Sequence, residues 1–406
     1  MNIMIITTEY PGECQRCGGL GTYTYTIGNL LAQNGHRIVI LTLSEKHSGR
    51  ETVSDKIVIE KVKYIGEAPR RTAWSELKYA ALTAARAMVV AQKEKIDLIH
   101  CTSEQGIGLF IGKAIPKVTR ISCDTILWRE CNHFDYRFKT HVNRARVSDI
   151  IEYLAIRRSN TIIGPCTRIN RIVGARIRKE IQTVETPFFV NTADCNPRKY
   201  NEKLAGKTYL ITHGTLKNHK GTLLIGKCMK RILNAHPDLY YVFAGNDNEI
   251  ETAPGQYRPA VTYLKNQAGS AKNRVIYLGS MKREELLPII SHAIACVLPS
   301  RVDNYPNTCV EAMAMGTVVV STYGSGFEQI CKNGENGFLI HPDNEAELIH
   351  TIDRIMKMDQ NQYKEVCRSA VSTIDEISVS ALVKKLENVY TITCSGKKRV
   401  GNAKHD

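Results

Sequence analysis

Nowhere in the 406 residues does an apolar run reach the length of a membrane-crossing helix, so none is expected. The opening stretch, Met1 to Glu9, has neither a charged leader region nor a cleavage site, and it reads as a first strand. The 13 cysteines are scattered and odd in number, which makes free thiols in a cytosolic setting the default expectation. Only Cys14-Gln15-Arg16-Cys17 brings two of them close. No second such pair exists to complete a zinc site, although a redox use of a thiol at a helix start stays open. No paired Asp-x-Asp site for a divalent metal stands out. The dinucleotide-binding glycine fingerprint and the nucleic-acid-binding module patterns are absent as well.

What is present is ordinary in bulk and uneven in charge. Hydrophobic content of 43% and charged content of 23% are globular values, and the length suits two or three domains. The net charge is +15. Its surplus gathers between residues 129 and 179, with Arg129, Arg137, Lys139, Arg144, Arg146, Arg157, Arg158, Arg168, Arg171, Arg176, Arg178 and Lys179. Such a stretch attracts anions, and the expected partners are an anionic membrane surface or a phosphate-bearing acceptor. Aromatic interleaving is thin there, so nucleic acid is not expected as a partner.

Short apolar runs alternate with helical stretches along most of the chain, the pattern of parallel α/β sheets. Strands are expected near 4–7, 37–43, 97–100, 118–123, 161–163, 208–212, 240–244, 275–278 and 293–298. Helices are expected near 22–35, 74–94, 148–159, 285–293 and 344–358, with a closing helix over 374–392. Polar text from Asn196 to Lys207 marks a domain boundary. The expected organisation is a first domain over 1–196, a second over 197–375, a closing helix over 376–393 and a flexible basic tail over 394–406.

Residues 297–330 carry the most chemistry. A buried strand ends at Pro299-Ser300, and Asp303 follows in the loop at its carboxyl end. Pro306-Asn307-Thr308 opens a helix that contains Glu311 about one turn in. Open α/β sheets bind ligands at that end of their strands. The amides of Asn307 and Thr308 make the helix start an anion seat, flanked by two carboxylates. Gly18-Gly19-Leu20-Gly21, between the first strand and the first helix, lets backbone approach a phosphate closely.

The text Pro299-Ser300-Arg301, Asp303, Glu311-Ala312-Met313-Ala314 and Gly316 resembles the donor-sugar motif of retaining glycosyltransferases of family 4, which have the GT-B fold. Gly324-Ser325-Gly326-Phe327-Glu328 and Gly334-Glu335-Asn336-Gly337-Phe338-Leu339 resemble that family's later turns. Thr8-Glu9-Tyr10-Pro11 through Gly21, and Gly35-His36-Arg37 after it, look like its opening. The resemblance spans roughly residues 1–390. It implies an α/β GT-B architecture of two Rossmann-like domains facing a central cleft.

It also implies roles. Asp303 orients the donor sugar, and Glu311 binds the ribose hydroxyls. Lys220, in His213-Gly214-Thr215-Leu216-Lys217-Asn218-His219-Lys220-Gly221, grips the departing diphosphate. The catalytic set is thus Asp303, Lys220 and Glu311. Gly18, Gly19, Gly214, Thr215, Met281, Asn307 and Thr308 complete the donor-binding set, with the Gly19 amide on the phosphate and Met281 at the nucleobase. His100, Glu104, Ser122 and Cys123 fall on the acceptor side. Three side chains depart from the family pattern: Asp303 replaces the commoner Glu, Thr215 stands where Arg is usual, and Ser122 stands where His is usual; in addition Pro306, which has no amide to donate, stands where the family often has Gly. Thr cannot supply the bidentate phosphate clamp of Arg.

The resemblance therefore implies a retaining, metal-independent transferase. It would move a sugar from a nucleotide-sugar donor to a hydroxyl of a glycan, polysaccharide or lipid-linked acceptor, with no cofactor beyond the donor. A transferase-like binding subunit that has lost turnover is the alternative, because of the three departures. The expected location is cytoplasmic, at the inner face of the plasma membrane.

Overall fold

The computed structural model describes residues 1–14, 17–64, 72–122, 124–136, 146–186, 190, 195–377 and 379–402, without the side chains of 397–402. It divides into two compact units. One comprises 1–126, 140–188 and 378–406, and the other comprises 127–139 and 189–377.

The first unit is built on β1 (Asn2–Thr7), β2 (Arg37–Ser44), β3 (Gly49–Thr52), β4 (Ile57–Lys63), β5 (Leu98–Thr102), β6 (Lys117–Arg120), β7 (Thr161–Gly164) and β8 (Gln182–Thr183). Their order across the sheet is β3-β4-β2-β1-β5-β6-β7-β8. All pairs are parallel except β3 with β4. The chain's helices begin with α1 (Gly19–Gln33), α2 (Ala73–Lys93), α3 (Thr125–Cys131), α4 (Val147–Arg157) and α5 (Thr167–Ile177). Successive strand residues point to opposite faces, and both faces are covered. Ile3, Ile5, Ile38 and Ile40 pack with Ile27 and Leu31 of α1 on one side. Met4, Ile6, Val39 and Leu41 pack with Tyr79, Ala84 and Ala87 of α2 on the other. This is why β1 and β2 read as unbroken apolar runs.

The second unit carries β9 (Thr208–His213), β10 (Leu239–Ala244), β11 (Glu249–Ala253), β12 (Gln256–Pro259), β13 (Val275–Tyr277), β14 (Ala295–Val297), β15 (Val318–Thr322) and β16 (Phe338–Ile340). Six of these form a wholly parallel sheet in the order β13-β10-β9-β14-β15-β16, while β11 and β12 make a separate hairpin. Its helices are α6 (Arg198–Lys203), α7 (Thr222–Ala235), α8 (Ala260–Gln267), α9 (Arg283–Ser291), α10 (Asn307–Ala314), α11 (Glu345–Met356) and α12 (Gln360–Glu376). The chain then enters α13 (Val379–Asn402), whose Val383, Leu386, Val389 and Tyr390 pack in the core of the first unit.

Three expectations about organisation are corrected. The first domain is not continuous over 1–196, because 127–139 belongs to the second unit. Arg301 explains this: its guanidinium donates to the carbonyls of Cys131 (3.1 Å) and His133 (2.6 Å), while Asp343 holds its Nε at 3.0 Å. Asn132 binds the His219 ring at 2.9 Å, and Glu251 accepts the Phe134 amide at 2.8 Å. Secondly, the closing helix over 374–392 is two helices, since Ile377 leaves helical geometry at ψ 84°. Thirdly, the tail expected from 394 is helical as far as Asn402. Lys397, Lys398 and Arg399 are good helix formers, and the two glycines there do not stop propagation from a long, packed helix.

Candidate active site

In the second unit the loop 298–306 leaves β14 and is clasped from two sides. Gly221, at φ +78°, lies so close that a Cβ would sit 2.1 Å from the Pro299 carbonyl oxygen. On the other side a Cβ on Gly326 would overlap the Asn304 carbonyl, and the Gly326 amide donates to the Asp303 carbonyl at 2.8 Å. Only glycine fits such approaches. The Arg301 amide donates to the His219 carbonyl at 2.8 Å. The loop carrying Asp303 is therefore fixed directly against the turn carrying Lys220.

There the two expected catalytic groups meet. Lys220 Nζ lies 2.5 Å from Asp303 Oδ2, with side chains 29% and 11% exposed. The other carboxylate oxygen, Oδ1, accepts the Asn304 amide at 3.1 Å. Pro306 occupies the N-cap of α10, and its carbonyl accepts the Cys309 and Val310 amides. The amides of Asn307 and Thr308 thus stand ahead of the first helical bond, where anions are favoured. Gly214, at φ +102°, brings the end of β9 to this point: a Cβ there would meet Thr308 Cγ2 at 3.4 Å. Thr215 follows, half-buried.

Glu311 is held by two cationic side chains. His213 Nε2 lies 3.2 Å from Oε2, and an Arg283 terminal nitrogen lies 3.2 Å from Oε1. Cys296 Sγ sits 3.3 Å from the other ring nitrogen of His213. Burial opposes charge on this ring, but Cys296 and Glu311 outweigh it and push the His213 pKa up to about 10. The imidazolium locks the carboxylate in one orientation. Sequence reading did not assign His213 or Arg283. A histidine as the last residue of a buried strand was the available signal for the first; Arg283 reaches Glu311 only through the fold. Met281 lies half-buried two residues before α9. These groups together can bind an anion, orient hydroxyls and carry a fixed carboxylate.

The first unit shows a different polar cluster. Gly18 caps α1, and its amide donates to Glu9 Oε2 at 3.0 Å, so a carboxylate already lies at the seat expected for phosphate; nothing crowds Gly19. His100 leaves the acceptor-side set. It is 0% exposed in β5, with Tyr23 Oη 3.3 Å from Nε2 and Tyr390 Oη 2.7 Å from Nδ1. Burial, then Arg120, pushes its pKa down to about 3, leaving a neutral core histidine. Glu104 keeps a polar role. Burial raises its pKa to about 7, and its Oε2 has no hydrogen-bond partner among the described residues. Ser122 accepts from Arg120 at 2.6 Å, and Arg120 also binds Thr186. Cys123 lies outside the described residues. Glu152, bonded to Thr125 and raised well above the usual carboxyl range by burial, is a neighbour that sequence reading missed.

The basic stretch is less uniform than its sequence. Arg176 is taken by Asp124 at 2.7 Å. Arg137, Lys139 and Arg144 lie outside the described residues. Cys14 and Cys17 are free thiols, and desolvation, then Cys14 and Glu9, pushes Cys17 up to about 12, opposite to a reactive redox thiol. Among the described residues no group of three or more His, Cys, Asp or Glu side chains could hold a metal. No described helix is long and apolar enough to cross a membrane.

The chain matches the family "Glycosyl transferases group 1" over residues 196–370 and "Glycosyltransferase Family 4" over residues 17–185. It is 22% identical to an uncharacterized glycosyltransferase of Methanocaldococcus jannaschii, covering 97% of this chain and 98% of that one. The sucrose-phosphate synthase from Thermosynechococcus elongatus superposes with a TM-score of 0.77 at 16% identity, covering 97% and 99% of the two chains. Anabaena HepE, solved in complex with UDP-glucose, superposes with a TM-score of 0.68 at 15% identity, covering 96% and 99%.

Proposed function

The chain belongs to the group 1 glycosyltransferases and has the GT-B fold, and from that premise we propose that it is a retaining, metal-independent member using a nucleotide-sugar donor. The observation that carries this reading is the joining of Lys220, Asp303, Glu311 and the start of α10 within one unit. HepE was solved with UDP-glucose, which supports a nucleotide-sugar donor here too. The acceptor is a hydroxyl of a glycan, polysaccharide or lipid-linked precursor. An anionic membrane contacted by the basic region within 129–179 is the setting that fits a lipid-linked one. The alternative of a silent binding subunit is not favoured, since relatives that match most of the chain include a glycosyltransferase and a glycogen synthase.

The residues divide the work as follows. The donor diphosphate competes with Asp303 for Lys220 and takes the amides of Asn307 and Thr308. Asp303, released from its lysine, accepts hydrogen bonds from the sugar hydroxyls. Glu311, fixed by His213 and Arg283, accepts from the ribose. The bond from the anomeric carbon to the diphosphate oxygen breaks as negative charge gathers on that oxygen, where Lys220 and the helix start stabilise it. The acceptor oxygen bonds to the same face of the sugar, and its proton passes to the departing diphosphate.

A thermal-shift screen against UDP-, GDP- and ADP-sugars tests the reading. A cognate donor raises the unfolding midpoint by mass action. Lys220→Ala and Glu311→Gln should each abolish most of that rise. Failure of every nucleotide sugar to move the midpoint of the wild-type chain contradicts it.

A further inference from the structure

The first unit turns an apolar surface outward. The inner side of α2 packs through Tyr79, Ala80, Ala84 and Ala87. Its opposite side, which should be polar on a solvent-facing helix, instead shows Trp74 (83% exposed), Leu82, Met88 and Val89 (60%). Helix α4 repeats this with Val147, Ile150 and Leu154 at helical spacing. The two helices lie side by side, because Ala80, Leu109, Ile151 and Ala155 form one cluster against which Ala73 and Leu77 pack. Their outer faces therefore adjoin.

Charge on these helices is sorted by sign. Lys78, Arg146, Arg157 and Arg158 are exposed. The acids Glu76, Asp149 and Glu152 are buried, and Glu94 at the end of α2 is taken by Arg37 and Arg50. An apolar face edged by arginines, with a tryptophan at its border, is the chemistry of the water–lipid boundary. A second copy docked through this same face would bring two sets of arginines into one interface with no exposed acids of these helices to offset them, which costs association.

We propose that the outer faces of α2 and α4 dock on an anionic lipid bilayer, with Trp74, Val147, Ile150 and Leu154 entering the headgroup layer and Arg157 and Arg158 on lipid phosphates. This deepens the membrane contact put forward above and rests on that part of the reading, not on the donor chemistry.

Trp74 is a built-in reporter, since the chain has only 2 tryptophans. In the Trp128→Phe chain, Trp74 emission should move to shorter wavelength with vesicles of phosphatidylcholine and phosphatidylglycerol. Brominated acyl chains should quench it, and pure phosphatidylcholine should do neither. The pair Arg157→Gln and Arg158→Gln should weaken vesicle binding roughly 25-fold, from about a fivefold contribution per surface arginine. Ile150→Glu with Leu154→Glu should abolish it. These surface variants keep the donor-induced thermal shift, and Lys220→Ala keeps vesicle binding, so the two readings fail separately. No shift on anionic vesicles, or an equal shift on neutral ones, overturns the proposal. A lipid-free shift that grows with protein concentration also overturns it and assigns the face to a second copy.

Discussion

Replacing His213 by Leu removes the hydrogen bond that holds Glu311 and leaves the Arg283 ion pair, while keeping a side chain of similar bulk in the core. Arg283 remains on the other oxygen at 3.2 Å, so the carboxylate keeps a partner but gains freedom to rotate. A hydrogen bond to a charged group contributes about 1.5–3 kcal/mol. The loss should appear as donor affinity reduced roughly 10- to 150-fold. Isothermal titration of the donor identified by the thermal-shift screen reads this directly. His213→Gln carries an amide donor to nearly the same place as Nε2 and should recover most of the binding. The deciding comparison is a double-mutant cycle with Glu311→Gln. If His213 acts through Glu311, His213→Leu costs little more once Glu311 is already Gln. An undiminished cost in that background refutes the positioning argument and leaves His213 as a packing residue.

The same histidine predicts a pH dependence of stability. Its folded pKa is raised to about 10 from 6.5, so its contribution is fully present below pH 6.5 and is lost as pH rises through 10. Urea unfolding should show the wild type losing its advantage over His213→Gln across that window. Glu104 behaves as a carboxyl whose charge is penalised by burial: Glu104→Gln should unfold at the same urea concentration as wild type below pH 4.5 and at a higher one above pH 7. His100→Leu strands two buried tyrosine hydroxyls and should cost about 2–4 kcal/mol of stability while leaving donor affinity unchanged, as measured by urea unfolding and titration. Gly221→Ala forces a Cβ into the Pro299 carbonyl at positive φ, and should destabilise the second unit by at least ~2 kcal/mol with loss of donor binding.

The parallel sheets were legible because β1, β2, β9, β10 and β15 are buried on both faces and spell continuous apolar runs. Asp303, Glu311 and the helix start were legible because loop and helix are adjacent in the chain. The resemblance put Lys220 in the same set, but its direct contact with Asp303 was not legible, since it joins residues far apart in sequence and depends on the close approaches of Gly221 and Gly326. His100 was misread for a related reason: sequence puts it at a strand end, but its surroundings come from Tyr23 and Tyr390, the latter on the last helix. The transfer of 127–139 to the second unit hangs on Arg301 donating to backbone carbonyls. Carbonyls carry no residue identity, so the text left no trace of it. The end of the closing helix was misjudged because basic, polar residues read as a tail continue a helix once several packed turns precede them.

The central claim is that Lys220, Asp303, Glu311 and the start of α10 hold the donor. A crystal structure of the chain with its nucleotide-sugar donor tests it most directly. The diphosphate is expected within hydrogen-bond distance of Lys220 Nζ and the amides of Asn307 and Thr308, the ribose on Glu311, and Asp303 released from Lys220 onto the sugar. A nucleotide bound elsewhere, with the Lys220–Asp303 pair intact, contradicts it.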